Sequence, residues 1–320
     1  MIRDNVAGAA GGGLYASGLT PTILDTSFLG NTSLQGGGLY ANGLGADLVL
    51  AGCHFRDNVA STAGAGVRTQ GGVLRVRDAT FIGNLCDVNG AGIYANDTRV
   101  FVERTLFAGN VAERGGGIYT LEEGLTGSIS DSVFEGNVAG ATGGGAYLRT
   151  PFVVRSTTFV GNSGTVAAID VASGTTTVVS SILWDNDGAA ELGGAGAELA
   201  RYSLIEGGFA GPGNIDADPQ FVAAGDYRLS PDSPAIDAGD TAAVTDEYPV
   251  DFLGRPRALD RLETPDTGIA RLGINVDMGA HEFQPEGGGG NPDCPADINL
   301  SGDVDFADLL EVLSAFGGCP

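Results

Sequence analysis

The chain contains no lysine. All sixteen of its basic residues are arginine, set against forty acidic ones, for a formal net charge of −24. Such a surplus repels phosphate and argues against nucleic acid as a partner. No apolar run approaches the roughly 20 residues that a helical membrane span requires. The N-terminus lacks the basic region, apolar stretch and cleavage site of a secretory signal. Met1 to Asn5 already falls inside a repeat, with no capping segment before it. The expectation is a piece truncated at its N-terminus from a longer secreted protein, extracellular or on the cell surface. Cysteine is scarce, at four residues. Cys53 and Cys86 fall in columns of small residues and read as buried, inert side chains. Cys294 and Cys319 flank a short terminal module and read as a disulfide, which implies an oxidising compartment.

What is abundant is a repeated phrase. Asparagine recurs at positions 5, 31, 58, 84, 110, 137, 162 and 186, with gaps of 24 to 27 residues. Three residues before each stands a large apolar side chain: Ile2, Phe28, Phe55, Phe81, Phe107, Phe134, Phe159 and Leu183. Eight before it, from the second repeat on, are Ile23, Leu50, Val76, Val102, Ile129, Val154 and Val178. One after it the residues are mostly aliphatic (Val6, Val59, Leu85, Val111, Val138), and two after it they are small. Apolar and polar residues alternate with the period of strands. A fixed period of this length marks a solenoid, in which each repeat buries its apolar face against its neighbours. Three short strands per coil are expected, pairing in parallel at about 4.8 Å per rung and giving a rod of roughly 40 Å. A helical solenoid is excluded by the glycine doublets and triplets in every repeat, since each glycine costs a helix up to about 1 kcal/mol. A leucine-rich horseshoe is excluded by the wrong leucine spacing.

Asparagine tolerates left-handed backbone and bonds to nearby main chain, so its column predicts a stacked amide ladder inside a turn. The Gly-Gly-Gly-apolar-Tyr phrase, as at Leu14-Tyr15, Leu39-Tyr40 and Ile118-Tyr119, predicts a tyrosine stack along one edge, as packing or as a sugar platform.

These Phe-x-x-Asn and Gly-Gly-Ala/Ile-Tyr phrases resemble right-handed parallel β-helix repeat proteins, and most nearly the polymorphic outer-membrane protein repeats of bacteria. The resemblance covers residues 1–222 and implies an all-β, right-handed parallel β-helix. Proteins of that fold include polysaccharide lyases, hydrolases and adhesins. Further on come Tyr227 to Gly239, Asp251 to Arg257 and Asp277 to Phe283. This series resembles the choice-of-anchor Q segment of bacterial surface β-helix proteins, with His281 where tyrosine is usual. Taken as residues 223–284, it can cap the rod. Asp237, Asp251, Arg255, Arg257, Asp277 and Glu282 are expected to hold its loops together as an ion-pair cluster, the competing reading being a catalytic or metal carboxylate group.

A glycine-rich linker, residues 285–292, leads to a last module at 293–320. Asp297, Asn299, Ser301, Asp305 and Asp308 stand at positions 1, 3, 5, 9 and 12 of a loop with Gly302 at position 6, and Asp303 at position 7 offers its carbonyl. That is an oxygen set suited to Ca²⁺ around a tight turn. Leu309, Leu310, Val312, Leu313, Ala315 and Phe316 then line one face of a helix. The module resembles a type I dockerin repeat in a cysteine-flanked form. It has one loop where a full dockerin has two, and it implies calcium and a cohesin-like scaffold partner.

The function expected is that of a non-catalytic secreted or surface-displayed β-helix, an adhesin, structural or carbohydrate-binding rod, attached through a calcium-binding C-terminal module. The alternative is a polysaccharide lyase or glycoside hydrolase of the pectate-lyase-like class. Such chemistry needs paired carboxylates, or calcium with a basic residue. Asp25, Asp78 and Asp131 share one column, and Arg77 and Arg155 the next, but no catalytic set is assigned. Polysaccharide or a cell-surface or scaffold protein are the partners implied.

Overall fold

The computed structural model describes residues 1–18, 21–43, 47–122, 125–243, 250–257, 265–270 and 275–284. The linker, Cys294, Cys319 and the calcium-loop residues Asp297, Asn299, Ser301, Asp303, Asp305 and Asp308 lie outside the described residues. Among those described, the chain is a parallel β-solenoid of about eight turns. Among the described residues the single helical element is a 3-10 turn at Thr241–Ala243, and no helix there is long and apolar enough to cross a membrane.

Each coil visits up to four stacks, where three were expected. A nine-stranded phenylalanine sheet runs from Ile2–Arg3 to Leu204–Ile205. An eight-stranded tyrosine sheet runs from Leu14–Ser17 to Ala190–Gly194, and an eight-stranded valine sheet from Thr22–Leu24 to Ala197–Arg201. The fourth stack has five short strands, from Thr32–Gln35 to Val138–Thr142, wedged between the asparagine corner and the glycines that open the tyrosine sheet.

The register explains the columns. Phe28, Phe55, Phe81, Phe107, Phe134 and Phe159 pair in turn. Their rings stack at 4.5 to 4.8 Å with planes within 10° of parallel, which is the rung spacing itself. All six are fully enclosed with Leu50, Val76, Val102, Ile129, Val154 and Val178. Burying each such side chain contributes about 1.5–3 kcal/mol. The aliphatic residues after the asparagine point outward: Leu85, Val111 and Val138 are exposed, while Ala60, Cys86, Ala112 and Ala139 beside them are buried. Cys53 and Cys86 are buried free thiols, and burial pushes both up in pKa, as inert side chains require.

The asparagines form the expected ladder. Asn110 N and Nδ2 both donate to Asn137 Oδ1, at 3.1 and 2.8 Å, and Asn110 Nδ2 also donates to the Phe81 carbonyl at 2.9 Å. The same pattern links every asparagine from Asn5 to Asn186. The left-handed backbone, however, belongs to the residue before each asparagine: Asp4, Gly30, Asp57, Gly83, Gly109, Gly136, Gly161 and Asp185 have φ between 53° and 63°. Glycine has a second role at Gly117, where an added Cβ would lie 2.4 Å from the Gly145 carbonyl and 2.9 Å from the Phe134 ring.

The tyrosines are packing. Tyr94, Tyr119 and Tyr147 stack nearly parallel at 5.2 and 4.9 Å, and Arg68 sits between Tyr40 and Tyr94 at 4.4 and 5.5 Å from their centroids. Ring faces consumed by neighbours are not free for a sugar, so the buried Tyr40, Tyr94 and Tyr119 are packing, while Tyr15 in the first coil is exposed and meets Tyr40 edge-on.

At the C-terminal end Phe209 packs on the main core. The segment expected as a cap lies, in its described part, against the outer flank of the phenylalanine sheet. Leu229, Ala235, Ile236, Ala238, Met278 and Phe283 cover the outward-facing Ile182 and Leu204, with Trp184 alongside. Gly279 N donates to Ser180 O at 2.8 Å, Ala280 N to Thr158 Oγ1 at 2.9 Å, and Asp240 N to Ser180 Oγ at 2.8 Å.

Candidate functional site

Along the valine sheet, inward residues such as Leu74 and Val76 alternate with outward Arg75 and Arg77. Parallel register aligns Val49, Arg75, Phe101 and Ser128 in one outward column and Arg77, Glu103, Ser130 and Arg155 in the next. The corner residues Asp131 and Ser156 and, from the flanking segment, Val250 and Arg257 wall these columns into a groove of about 480 Å³. Its lining holds four arginines (75, 77, 155 and 257) against two acids, Glu103 and Asp131. The lining is thus richer in arginine than the chain as a whole, although Arg75 and Arg257 are paired with acids.

The charges are held as follows. Arg75 Nε bonds Asp47 at 2.6 Å, and its guanidinium lies 4.7 Å from the Phe101 centroid. Arg104 bridges Asp78, at 2.7 Å, and Glu103. Arg257 is fully enclosed. Its Nε meets Asp131 at 2.6 Å, Nη1 meets Glu282 at 3.3 Å, and Nη2 donates to the carbonyls of Gly279 and Ala280, both at 2.9 Å. Burial raises the pKa of Asp131 against the pull of Arg257. Arg155 Nη1 donates to the Ala243 carbonyl at 3.3 Å. Arg77 is exposed and has no ion pair among the described residues.

The aspartate column singled out in the sequence has a conformational cause. Asp25, Asp78 and Asp131 have φ of 44°, 50° and 49°, and Gly52, Arg104, Ser156 and Ser180 occupy equivalent left-handed corners. Aspartate tolerates that region better than most residues. Of the five charged candidates, the groove gathers Arg77, Asp131 and Arg155; Asp78 is tied to Arg104, and Asp25 does not line it. Sequence reasoning missed Arg75, Phe101 and Glu103, and it placed Arg257 in the ion-pair cluster without foreseeing its place in the groove wall. The first three carry a signal, being the outward members of the valine strands.

The predicted ion-pair cluster is present but relies on one guanidinium. Asp251 Oδ1 accepts the amides of Leu253 and Arg255, and its Oδ2 that of Glu282. Asp277 accepts the amides of Asp237 and Phe283. Arg255 joins through its backbone, and Arg257 alone supplies charge from within the cluster. Burial lifts Asp277 to about 7, and burial followed by the charge of Asp277 lifts Glu282 well above the ordinary value. His281 is enclosed edge-on against Phe252 at 5.4 Å. Burial, then the nearby Arg257, lowers it to about 4, so it is neutral near pH 7. Among the described residues no three His, Cys, Asp or Glu side chains are arranged to hold a metal ion.

A further carboxyl closes the asparagine ladder. Glu191 Oε2 accepts Asn186 Nδ2 at 2.6 Å and Oε1 accepts Asn186 N at 3.3 Å, taking the place of the next asparagine. Burial raises Glu191 to about 7.

No family model matches the chain, and no curated protein matches its sequence. The class is therefore the one its fold defines, a parallel β-solenoid repeat protein.

Proposed function

We propose that the chain is a non-catalytic secreted or surface-displayed β-solenoid that holds an acidic polysaccharide in the valine-sheet groove and is attached through a calcium-binding C-terminal module. The supporting observation is the charge pattern of the groove. Arginines bind sugar carboxylates or sulfates through paired hydrogen bonds, and Arg77 has no ion pair among the described residues. Glycoside hydrolysis needs one carboxyl as acid and a second free to act as base or nucleophile. Here Glu103 is committed to Arg104 and Asp131 to Arg257. The alternative, a polysaccharide lyase or glycoside hydrolase, draws on the same groove, where the Asp131 carboxyl is raised as a general acid would be.

A panel of acidic and neutral polysaccharides separates these readings, scored for retention in affinity electrophoresis and for new reducing ends and unsaturated uronates. Retention of polygalacturonate over dextran, without products, is expected. Arg77→Ala should weaken it about tenfold, the equivalent of one charge-assisted hydrogen bond near 1.4 kcal/mol. Products would establish the enzyme reading, and equal retention of charged and neutral polymers would overturn the acidic ligand.

In the terminal module, Asp297, Asn299, Ser301, Asp305 and Asp308 would offer side-chain oxygens and Asp303 its carbonyl to Ca²⁺, supporting attachment to a cohesin-like scaffold or cell-surface partner. Calcium titration calorimetry on the full chain should give one site, lost in Asp297→Ala. An absence of calcium-dependent heat, or an unchanged titration in that variant, would remove calcium from the proposal.

A further inference from the structure

Among the described residues, 235–240, 250–257 and 275–283 meet the rod through the hydrogen bonds to Ser180 and Thr158, the Arg257–Asp131 and Arg201–Asp240 pairs, and an apolar contact in which Ile236 and Met278 join Ile182 and Leu204. The interior of this contact is overloaded with acid. Asp131 from the rod and Glu282 pair with a single buried guanidinium, Arg257, while Asp251 and Asp277 lie within its electrostatic reach and Asp237 stands beside Asp277. Of the other charged or titratable groups, Asp240 and His281 are also buried and the rest lie nearer the surface. Asp240 pairs with Arg201 at 3.1 Å, Asp226 pairs with Arg228 at 2.6 Å near His281, Arg255 is half-buried, and His281 is neutral.

Glu282 carries the argument. Its Oε2 meets Arg257 Nη1 and the Asp277 amide, while its Oε1 is sealed from solvent without a hydrogen-bond partner. An ionised carboxylate in that position would leave a bare anionic Oε1 beside Asp277 and Asp251, a cost that Arg257 and the Asp277 amide, both on Oε2, offset only in part. We propose that these three segments form a latch on the flank of the solenoid, docked while the Glu282–Asp277 pair retains a proton and released as the pair ionises.

The direction follows from burial. Glu282 and Asp277 have ordinary values of 4.5 and 3.8, and both are raised when docked, Asp277 to about 7. For acids raised in the docked state, docking is strongest below the ordinary values. It weakens as pH climbs through the docked values, by up to tenfold per pH unit for each ionising group. Release withdraws Val250 and Arg257 from the groove wall and frees Asp131, so the same event lengthens the groove.

Trp184, the chain's only tryptophan, packs against the latch contact and reports on it. Raising the full chain from pH 5 to pH 9 should shift Trp184 emission to the red while the far-UV circular dichroism of the rod persists. The Gly279 and Ala280 amides should exchange faster than intrinsic base catalysis accounts for, by tenfold or more. Glu282→Gln should abolish the emission shift or move it upward by at least one pH unit, and Asp277→Asn offers the same reading if the glutamine variant does not fold. A flat emission profile, rod and latch melting at one midpoint, or an unaltered transition in the variants would overturn the latch.

Discussion

Replacing Asn110 with alanine should lower the stability of the rod by about 4 kcal/mol, near the top of the range for single substitutions. Asn110 is fully buried, and its Oδ1 accepts both the backbone amide and the Nδ2 of Asn84. Alanine orphans those two donors at about 1–3 kcal/mol each, and it also strips a donor from the Asn137 amide oxygen and the Phe81 carbonyl. Asn110→Asp should be at least as costly although its shape is conserved, because a second oxygen would then face the Phe81 carbonyl and Asn137 Oδ1. The same change at the exposed Asn5 should cost under about 1 kcal/mol. Denaturant midpoints for the three variants give the ordering, and a fully folded Asn110→Ala protein within about 1 kcal/mol of wild type would show that the ladder is not a source of stability.

Arg257→Ala should be comparably severe but in a different place. Removing one partner of a buried ion pair costs about 3–5 kcal/mol because the abandoned charge stays buried; here Asp131 loses its cation and Glu282 loses the hydrogen-bond donor on its Oε2. The damage should fall on the docked segments, leaving the solenoid folded. Limited proteolysis should then cut within residues 235–283 and spare the repeats. Lysine cannot substitute, since three nitrogens of the guanidinium serve four separate acceptors. Adding Asp131→Asn to Arg257→Ala should recover part of the loss by removing a stranded charge. A double variant no more resistant than the single one would contradict the electrostatic account.

The solenoid was legible because its inward columns repeat without interruption. A phenylalanine every 25 to 27 residues from Phe28 to Phe159 specifies both the stack and the register. The fourth stack was not, because its pairing loses a constant register after Ser33 and after Ala112, so no fixed column marks its second half. The asparagine column gave the ladder, but the left-handed residue proved to be its predecessor, which varies between glycine and aspartate. The groove was only half legible. Arg77 and Arg155 lie in register, whereas Arg257 reaches Asp131 across 126 residues of sequence, a distance no repeat period encodes. The latch left a fainter mark, in the outward positions of the phenylalanine sheet, where Ser27, His54 and Thr80 give way to Leu106 and Val133 and, past Thr158, to Ile182 and Leu204.

The amide ladder also gives the rod a direction. Every side-chain link donates from a lower-numbered asparagine to a higher one, so the small dipoles align as they do along a helix. The Asn186 end presents hydrogen-bond donors, met by the Glu191 carboxylate, while the first amide oxygen belongs to Asn5. Interior joints are nearly interchangeable, each offering the next coil the same oxygen and the same aromatic face. A coil duplicated or deleted between equivalent asparagines therefore restores an equivalent joint, provided its direction is kept. Length is in this sense a free variable of the design, and polarity is not.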